Sequence, residues 1–192
     1  WIVSSHAHYD HAGGIAALGR MSGATVLASK RGAEGLRLGT AVADDPQVGY
    51  GAEMQFPKVK EVRELSDSEV LKLGSLSLHV HYTPGHTPGA TSYSWQSCEG
   101  STCYRMVYAD SLNAVAAPGF RYSADPQRVA TFRQSIEKVK TLPCDVLVSA
   151  HPDFSRLFER NDKRSARKTG EPDPMIDKDG CKAYALDAEE RL

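Results

Sequence analysis

The stretch Trp1 to Gly14, WIVSSHAHYDHAGG, constrains this chain more than any other. Four side chains able to bind a metal, His6, His8, Asp10 and His11, fall within six residues, directly after a short apolar run that reads as a strand. In extended backbone alternate side chains share a face, so His6 and His8 project together and can grip one ion. Asp10 and His11 come as the chain turns toward a helix, which aims them past that ion and toward a second position. Imidazole suits zinc, and a carboxylate mixed with histidines suits a catalytic ion rather than a purely structural one. Polar residues at a solvated strand end are the competing explanation. It fits poorly, because three of the seven histidines in the chain stand here beside an aspartate.

Two more histidines follow strand ends. Leu76 to Thr83 alternates apolar and polar residues and runs into Tyr82-Thr-Pro-Gly-His-Thr-Pro-Gly89. Two Pro-Gly pairs stiffen that turn around His86, which suits a preorganised ligand. Asp145 to Ser149 reads as a short buried strand, and His151 lies just past its end. His79 and His81 point away from Leu76, Leu78, Val80 and Tyr82; a half-exposed strand face accounts for them, and both stay outside the site. Further strands are expected at Thr25–Ala28, Val59–Leu65, Glu69–Leu73, Ala90–Trp95 and Tyr104–Ala109. Helices are expected over Gly14–Met21 with a stop at Gly23, over Lys30–Leu38, from Asp125 as cap and Pro126 through Lys140, and over Ala183–Arg191. A helix starting after Asp10 and His11 would turn its positive end toward the site. Gly39 to Pro57 reads as a long loop of plain irregular surface, and Arg156 to Lys168 as a charged helix or solvated segment.

With 192 residues, 41% of them hydrophobic, the chain can build one sizeable core, and a single domain over 1–192 is expected. A net charge of −1 offers no bulk positive field to recruit nucleic acid or an anionic membrane. Nothing approaches the run of about eighteen apolar residues a membrane span needs. None of the four cysteines falls in a Cys-x-x-Cys pair; their even number suggests two disulfides and an oxidising compartment. Sequence leaves the pairing open. A Cys98–Cys103 bridge would pin a hairpin, and a bridge to Cys181 would tie down the last helix. The chain starts at Trp1 with a strand already ending, so a fragment or a trimmed chain is expected.

His-x-His-x-Asp-His followed by Ala12-Gly13-Gly14 resembles the signature of the metallo-β-lactamase superfamily. The resemblance implies an α/β fold, a four-layer αββα sandwich, here N-terminally incomplete because the family's motif follows several strands of the first sheet. It implies two zinc ions, one held by His6, His8 and His86 and the other by Asp10, His11 and His151. Asp110-Ser111-Leu112, the downstream Ala117-Pro118-Gly119-Phe120 and the segment His151-Pro-Asp-Phe-Ser are most similar to the third subclass of zinc β-lactamases, whose ligands include no cysteine. The implied activity is hydrolysis of the β-lactam amide by a metal-activated water, with Asp10 orienting the nucleophile and Ser111 and Asn113 binding the substrate carboxylate or a water at the second metal. The implied partner is a small-molecule β-lactam, with no nucleic acid or membrane, for a periplasmic or secreted monomer. Two rivals remain: a glyoxalase II-like thioester hydrolase or lactonase, in which Asp110 bridges the metals, and a zinc-binding but inactive fragment.

Overall fold

In the computed structural model, which describes residues 1–192, two sheets lie face to face. The first has strands β1 (Ile2–Val3), β2 (Val26–Ser29) and β3 (Val62–Leu65), all parallel and in that order. The second runs β4 (Val70–Leu73), β5 (Leu76–Tyr82), β6 (Thr91–Glu99), β7 (Thr102–Ala109) and β8 (Val146–Ser149); its pairs are antiparallel except β7 with β8. The helices are α1 (Tyr9–Ala12), α2 (Ile15–Ser22), α3 (Lys30–Leu38), α4 (Pro126–Thr141), α5 (Leu157–Ser165) and α6 (Gly180–Arg191).

Strand periodicity sets the layers. On β2, Val26 and Ala28 pack with Ile15 and Ala16 of α2 and Ala33 and Leu36 of α3, while Leu27 faces the other way, toward Leu65, Leu71, Val80 and Tyr93 between the sheets. On the far side of the second sheet, Val107 and Leu147 meet Phe132, Ile136 and Val139 of α4 and Tyr184, Ala185 and Ala188 of α6. Helices therefore cover both outer faces, giving the expected αββα order.

Local signals account for most boundaries. Gly23 and Gly39 end α2 and α3 in left-handed conformations, with φ of 67° and 73°. Ser29 caps α3 by accepting from the Gly32 amide at 3.1 Å. Asp125 caps α4 by accepting from the Arg128 amide at 3.0 Å, with Pro126 in the first turn. Several expectations need revision. The β3 strand begins only at Val62, after the proline-bearing segment that precedes it. The β6–β7 hairpin runs further than expected, because Cys98 and Cys103 sit opposite each other in its register and are joined. Asp10 and His11 lie inside the short helix α1 rather than ahead of a helix. The Gly39–Pro57 segment contains a 3-10 turn, Val48–Met54, and carries the buried residues Val42, Asp45, Met54 and Phe56, so it is not plain surface.

The second disulfide joins Cys144, just before β8, to Cys181 in α6. On the chain-entropy argument its longer loop contributes roughly 4 kcal/mol and the hairpin bridge roughly 2. Beside Cys144, the Asp145 carboxylate accepts three bonds from Arg105 of β7: from its amide at 2.8 Å, from Nε at 2.8 Å and from Nη2 at 2.7 Å. Those bonds, the side-chain ones foremost, lower the Asp145 pKa from 3.8 to about 2. A carboxylate depressed on folding adds stability above its unfolded pKa and loses it on acidification. The Asp145→Asn variant should therefore melt several degrees below the parent at neutral pH, and the gap should close between pH 3.8 and about 2. Thermal melts of both proteins across that range read this directly.

Candidate metal centre

Three buried imidazoles converge where the end of β1 meets the turn after β5. His6, His8 and His86 are 1%, 3% and 3% exposed, and one donor nitrogen from each lies within 4.8 Å of the others. The His6 ring centroid stands 4.7 Å from that of His8 and 5.0 Å from that of His86. Each ring is held by one nitrogen and leaves the other open. His6 donates from Nδ1 to Asp110 Oδ1 at 2.7 Å. His86 donates from Nδ1 to the Asn113 carbonyl at 2.7 Å. His8 donates from Nε2 to the Asp45 carboxylate, at 3.1 and 3.2 Å from its two oxygens. The free atoms are thus Nε2 of His6, Nδ1 of His8 and Nε2 of His86.

The His6 Nε2 atom is buried without any hydrogen-bond partner. An orphaned polar atom in a packed interior costs free energy unless something fills its lone pair. A divalent cation accounts for it, since a cation needs neutral imidazoles whose outer nitrogens are tied by carboxylates or carbonyls. Protonation is disfavoured at His6 and His86. Burial lowers the His6 pKa against the pull of Asp110, and burial, with His6 and His8 nearby, lowers His86 from 6.5 to about 3.

The His86 turn is set by contacts that admit no side chain on its glycines. Gly85, at φ 154°, lies against Phe132 of α4, and a Cβ there would come within 2.2 Å of that ring. A Cβ on Gly89 would come within 2.4 Å of the Gly32 amide nitrogen in α3. Ser29 donates to the Gly89 carbonyl at 2.6 Å, and Ser135 of α4 to the Pro84 carbonyl at 2.6 Å. The turn is thus clamped between two helices.

A second donor group adjoins the first. Asp10 Oδ2 is 3.1 Å from His11 Nε2 and 3.6 Å from His151 Nε2, and the two imidazole nitrogens are 3.2 Å apart. Ligand atoms about 2.0–2.1 Å from a tetrahedral ion sit about 3.3 Å from one another, which this triangle matches. His6 links the groups, with its ring centroid 4.1 Å from that of His11. The hydrogen bond from His11 foremost holds the Asp10 carboxyl well below the usual range, so it is ionised, and its side chain is 56% exposed. The chemistry of both sets, imidazoles with one carboxylate and no thiolate, fits a catalytic divalent metal.

All six residues expected to bind metal are therefore brought together in two groups, His6, His8, His86 and Asp10, His11, His151. His79 and His81 stay outside them; His81 bonds Ser94 Oγ at 2.8 Å. Asp110 is withheld from both groups. It is fully buried behind His6, with Oδ2 accepting from the Thr91 amide at 3.3 Å. Ser111 and Asn113 are 1% and 5% exposed, and Asn113 Nδ2 donates to Ser111 Oγ at 3.3 Å. Sequence reasoning missed Asp45 as the partner of His8. It is one acid in a loop of mixed composition, and only its burial sets it apart.

Comparison with known proteins agrees with this geometry. The profile of the metallo-beta-lactamase superfamily matches residues 1–99. The structure of the Rm3 metallo-beta-lactamase superposes on the whole chain and on 70% of its own length, with a TM-score of 0.93 and 46% identity. MEM-A1, a subclass B3 metallo-beta-lactamase from a soil metagenome library, gives a TM-score of 0.92 at 45% identity over the whole chain and 72% of its own. A hydroxyacylglutathione hydrolase of Anaeromyxobacter dehalogenans is 32% identical over 130 residues, 68% of this chain and 39% of that protein. The chain thus spans well under half the length of that relative. With the motif, the layered fold and the paired donor groups in place, the chain belongs to the metallo-β-lactamase superfamily.

Proposed function

We propose that this protein hydrolyses the β-lactam amide bond of antibiotics, with His6, His8 and His86 holding one zinc ion and Asp10, His11 and His151 a second. The observation that carries the choice of substrate is the position of Asp110. A bridging carboxylate is the mark of the thioester-hydrolase alternative, and Asp110 is instead spent on the outer nitrogen of His6. Likeness over the whole chain to β-lactamase structures supports the same choice. The partial match to a hydroxyacylglutathione hydrolase favours the rival reading, in which a thioester is cleaved.

Bound divalent cations would supply Lewis-acid polarisation of the scissile carbonyl and a water acidified toward neutral pH. The protein's own contribution is placement. Three imidazoles point one nitrogen each at a common position. The ionised, solvent-facing Asp10 accepts a hydrogen bond from the attacking water and orients it toward the lactam carbonyl. Ser111 and Asn113 lie beneath the surface, so they act on the substrate carboxylate or the second position through an intervening water. Ser111 has no neighbouring base and is not a nucleophile. The two disulfides support a periplasmic or secreted location, where such bonds persist. The partner is a small molecule.

The test sets a chromogenic cephalosporin beside S-lactoylglutathione, with zinc-loaded and chelator-treated protein. Turnover of the cephalosporin, abolished by chelator and restored by zinc, is expected; cleavage of the thioester alone would sink the lactamase reading. Asp10→Asn should lower cephalosporin turnover by roughly 100- to 10,000-fold, whereas Ser111→Ala should keep most of it.

A further inference from the structure

The loop over residues 40–57 is bonded to the site at one end and to a second loop at the other. Its Asp45 is 3% exposed and takes the His8 Nε2–H at 3.1 and 3.2 Å. The same carboxylate accepts the Gln47 amide at 2.8 Å, which fixes its own rotamer. Next to it, the Pro46 carbonyl accepts the Ala117 amide at 2.9 Å, and the Tyr50 hydroxyl donates to the Ala116 carbonyl at 3.0 Å. Gly49 leaves no room beyond this, since a Cβ there would stand 3.0 Å from that of Ala117. Ala116 and Ala117 belong to the segment whose Asn113 carbonyl orients His86 at 2.7 Å. Arg128 of α4 donates to the Asp44 carbonyl at 2.8 Å, closing the loop from outside. Three hydrogen-bonded crossings joined by covalent backbone therefore connect the rings: His8 to Asp45, then Pro46 to Ala117, and, four residues back along the chain, Asn113 to His86.

We infer that Asp45 is a positioning residue that fixes His8 for cation binding and, through the 40–57 loop, yokes its orientation to that of His86. This rests on reading His6, His8 and His86 as a cation site, and is independent of which bond the protein cleaves. A carboxylate on the outer nitrogen does two things for a ligating imidazole. It selects the Nε2–H tautomer, which leaves Nδ1 with the lone pair, and it holds the ring plane. His8 stands in extended backbone at the cap of the four-residue α1, where its carbonyl accepts from the His11 and Ala12 amides at 3.1 and 2.7 Å; those bonds pin its backbone, and Asp45 is what holds its ring. The Tyr50 hydroxyl transmits the constraint without touching any ligand.

The experiment titrates the 192-residue chain with zinc alone, against a competing chelating indicator, and follows the histidine side-chain nitrogens by 15N NMR. Asp45→Ala should weaken the tighter or looser of the two zinc affinities about 10- to 100-fold. It should also move the His8 nitrogen shifts away from an Nε2–H pattern, which a merely structural role would not do. Asp45→Asn keeps an oxygen for the Nε2–H and should lose less. Tyr50→Phe should weaken zinc binding several-fold, and that loss should vanish when Asp45 is already alanine. Parental zinc affinity in a folded Asp45→Ala protein would overturn the role. If that variant does not fold, parental affinity and unchanged His8 shifts in Asp45→Asn would overturn it instead. Full additivity of the Tyr50 and Asp45 losses would break the yoke, as would absence of zinc binding by the parent. A parent that binds zinc and leaves cephalosporins intact would remove the proposed substrate and leave this inference standing.

Discussion

Three imidazoles are kept out of water with one nitrogen each engaged and the other bare. That arrangement is unfavourable for an isolated apolar interior, because an unpaired buried polar atom costs roughly 1–3 kcal/mol. At His6 Nε2, which is buried without a partner, a bound cation would offset that cost. The rest of the fold serves this. Asp110 is carried to His6 by the end of β7, Asn113 to His86 by the segment after it, and Asp45 to His8 by the loop between α3 and β3. The two sheets must therefore be docked before the site exists. Tyr93 of the second sheet donates to the Ser4 carbonyl at 2.7 Å, and the Thr91 amide to that of Ser5 at 2.9 Å, so the chain leading into His6 is tied across the interface.

The two donor groups differ in character in a way that suits division of labour. The first is buried and rigid, clamped through Gly85 and Gly89 between α3 and α4. The second faces solvent, with Asp10 exposed and His151 half-buried at the end of β8. The hairpin bridge pins the turn end of β6 and β7, and the Cys144–Cys181 bridge ties the start of β8 to the last helix.

Much of this was legible in the residues, and the reasons are physical. His6, His8, Asp10 and His11 are local, so spacing alone reports them. His86 and His151 are each at a strand end marked by proline, and the resemblance to the superfamily joins them to the cluster. Alternation was legible on β5, while the four-layer order came from the resemblance. What could not be read were the partners behind the ligands. Asp45, Asp110 and the Asn113 carbonyl lie 37, 104 and 27 positions from the rings they hold. A single acid in a loop carries no periodic signal, and a backbone carbonyl carries none of any kind. The disulfide pairing was open for the same reason, since four cysteines admit three pairings until the chain is folded.

The central claim is that Asp110 stands behind the metal site rather than in it. Crystals of the zinc-loaded protein, measured on either side of the zinc absorption edge, test it most directly. The account predicts two anomalous peaks, one reached by His6 Nε2, His8 Nδ1 and His86 Nε2 and the other by Asp10, His11 and His151, with Asp110 still bonded to His6 Nδ1. An Asp110 oxygen found bridging the two peaks, or a single peak held by a different set of side chains, would contradict it.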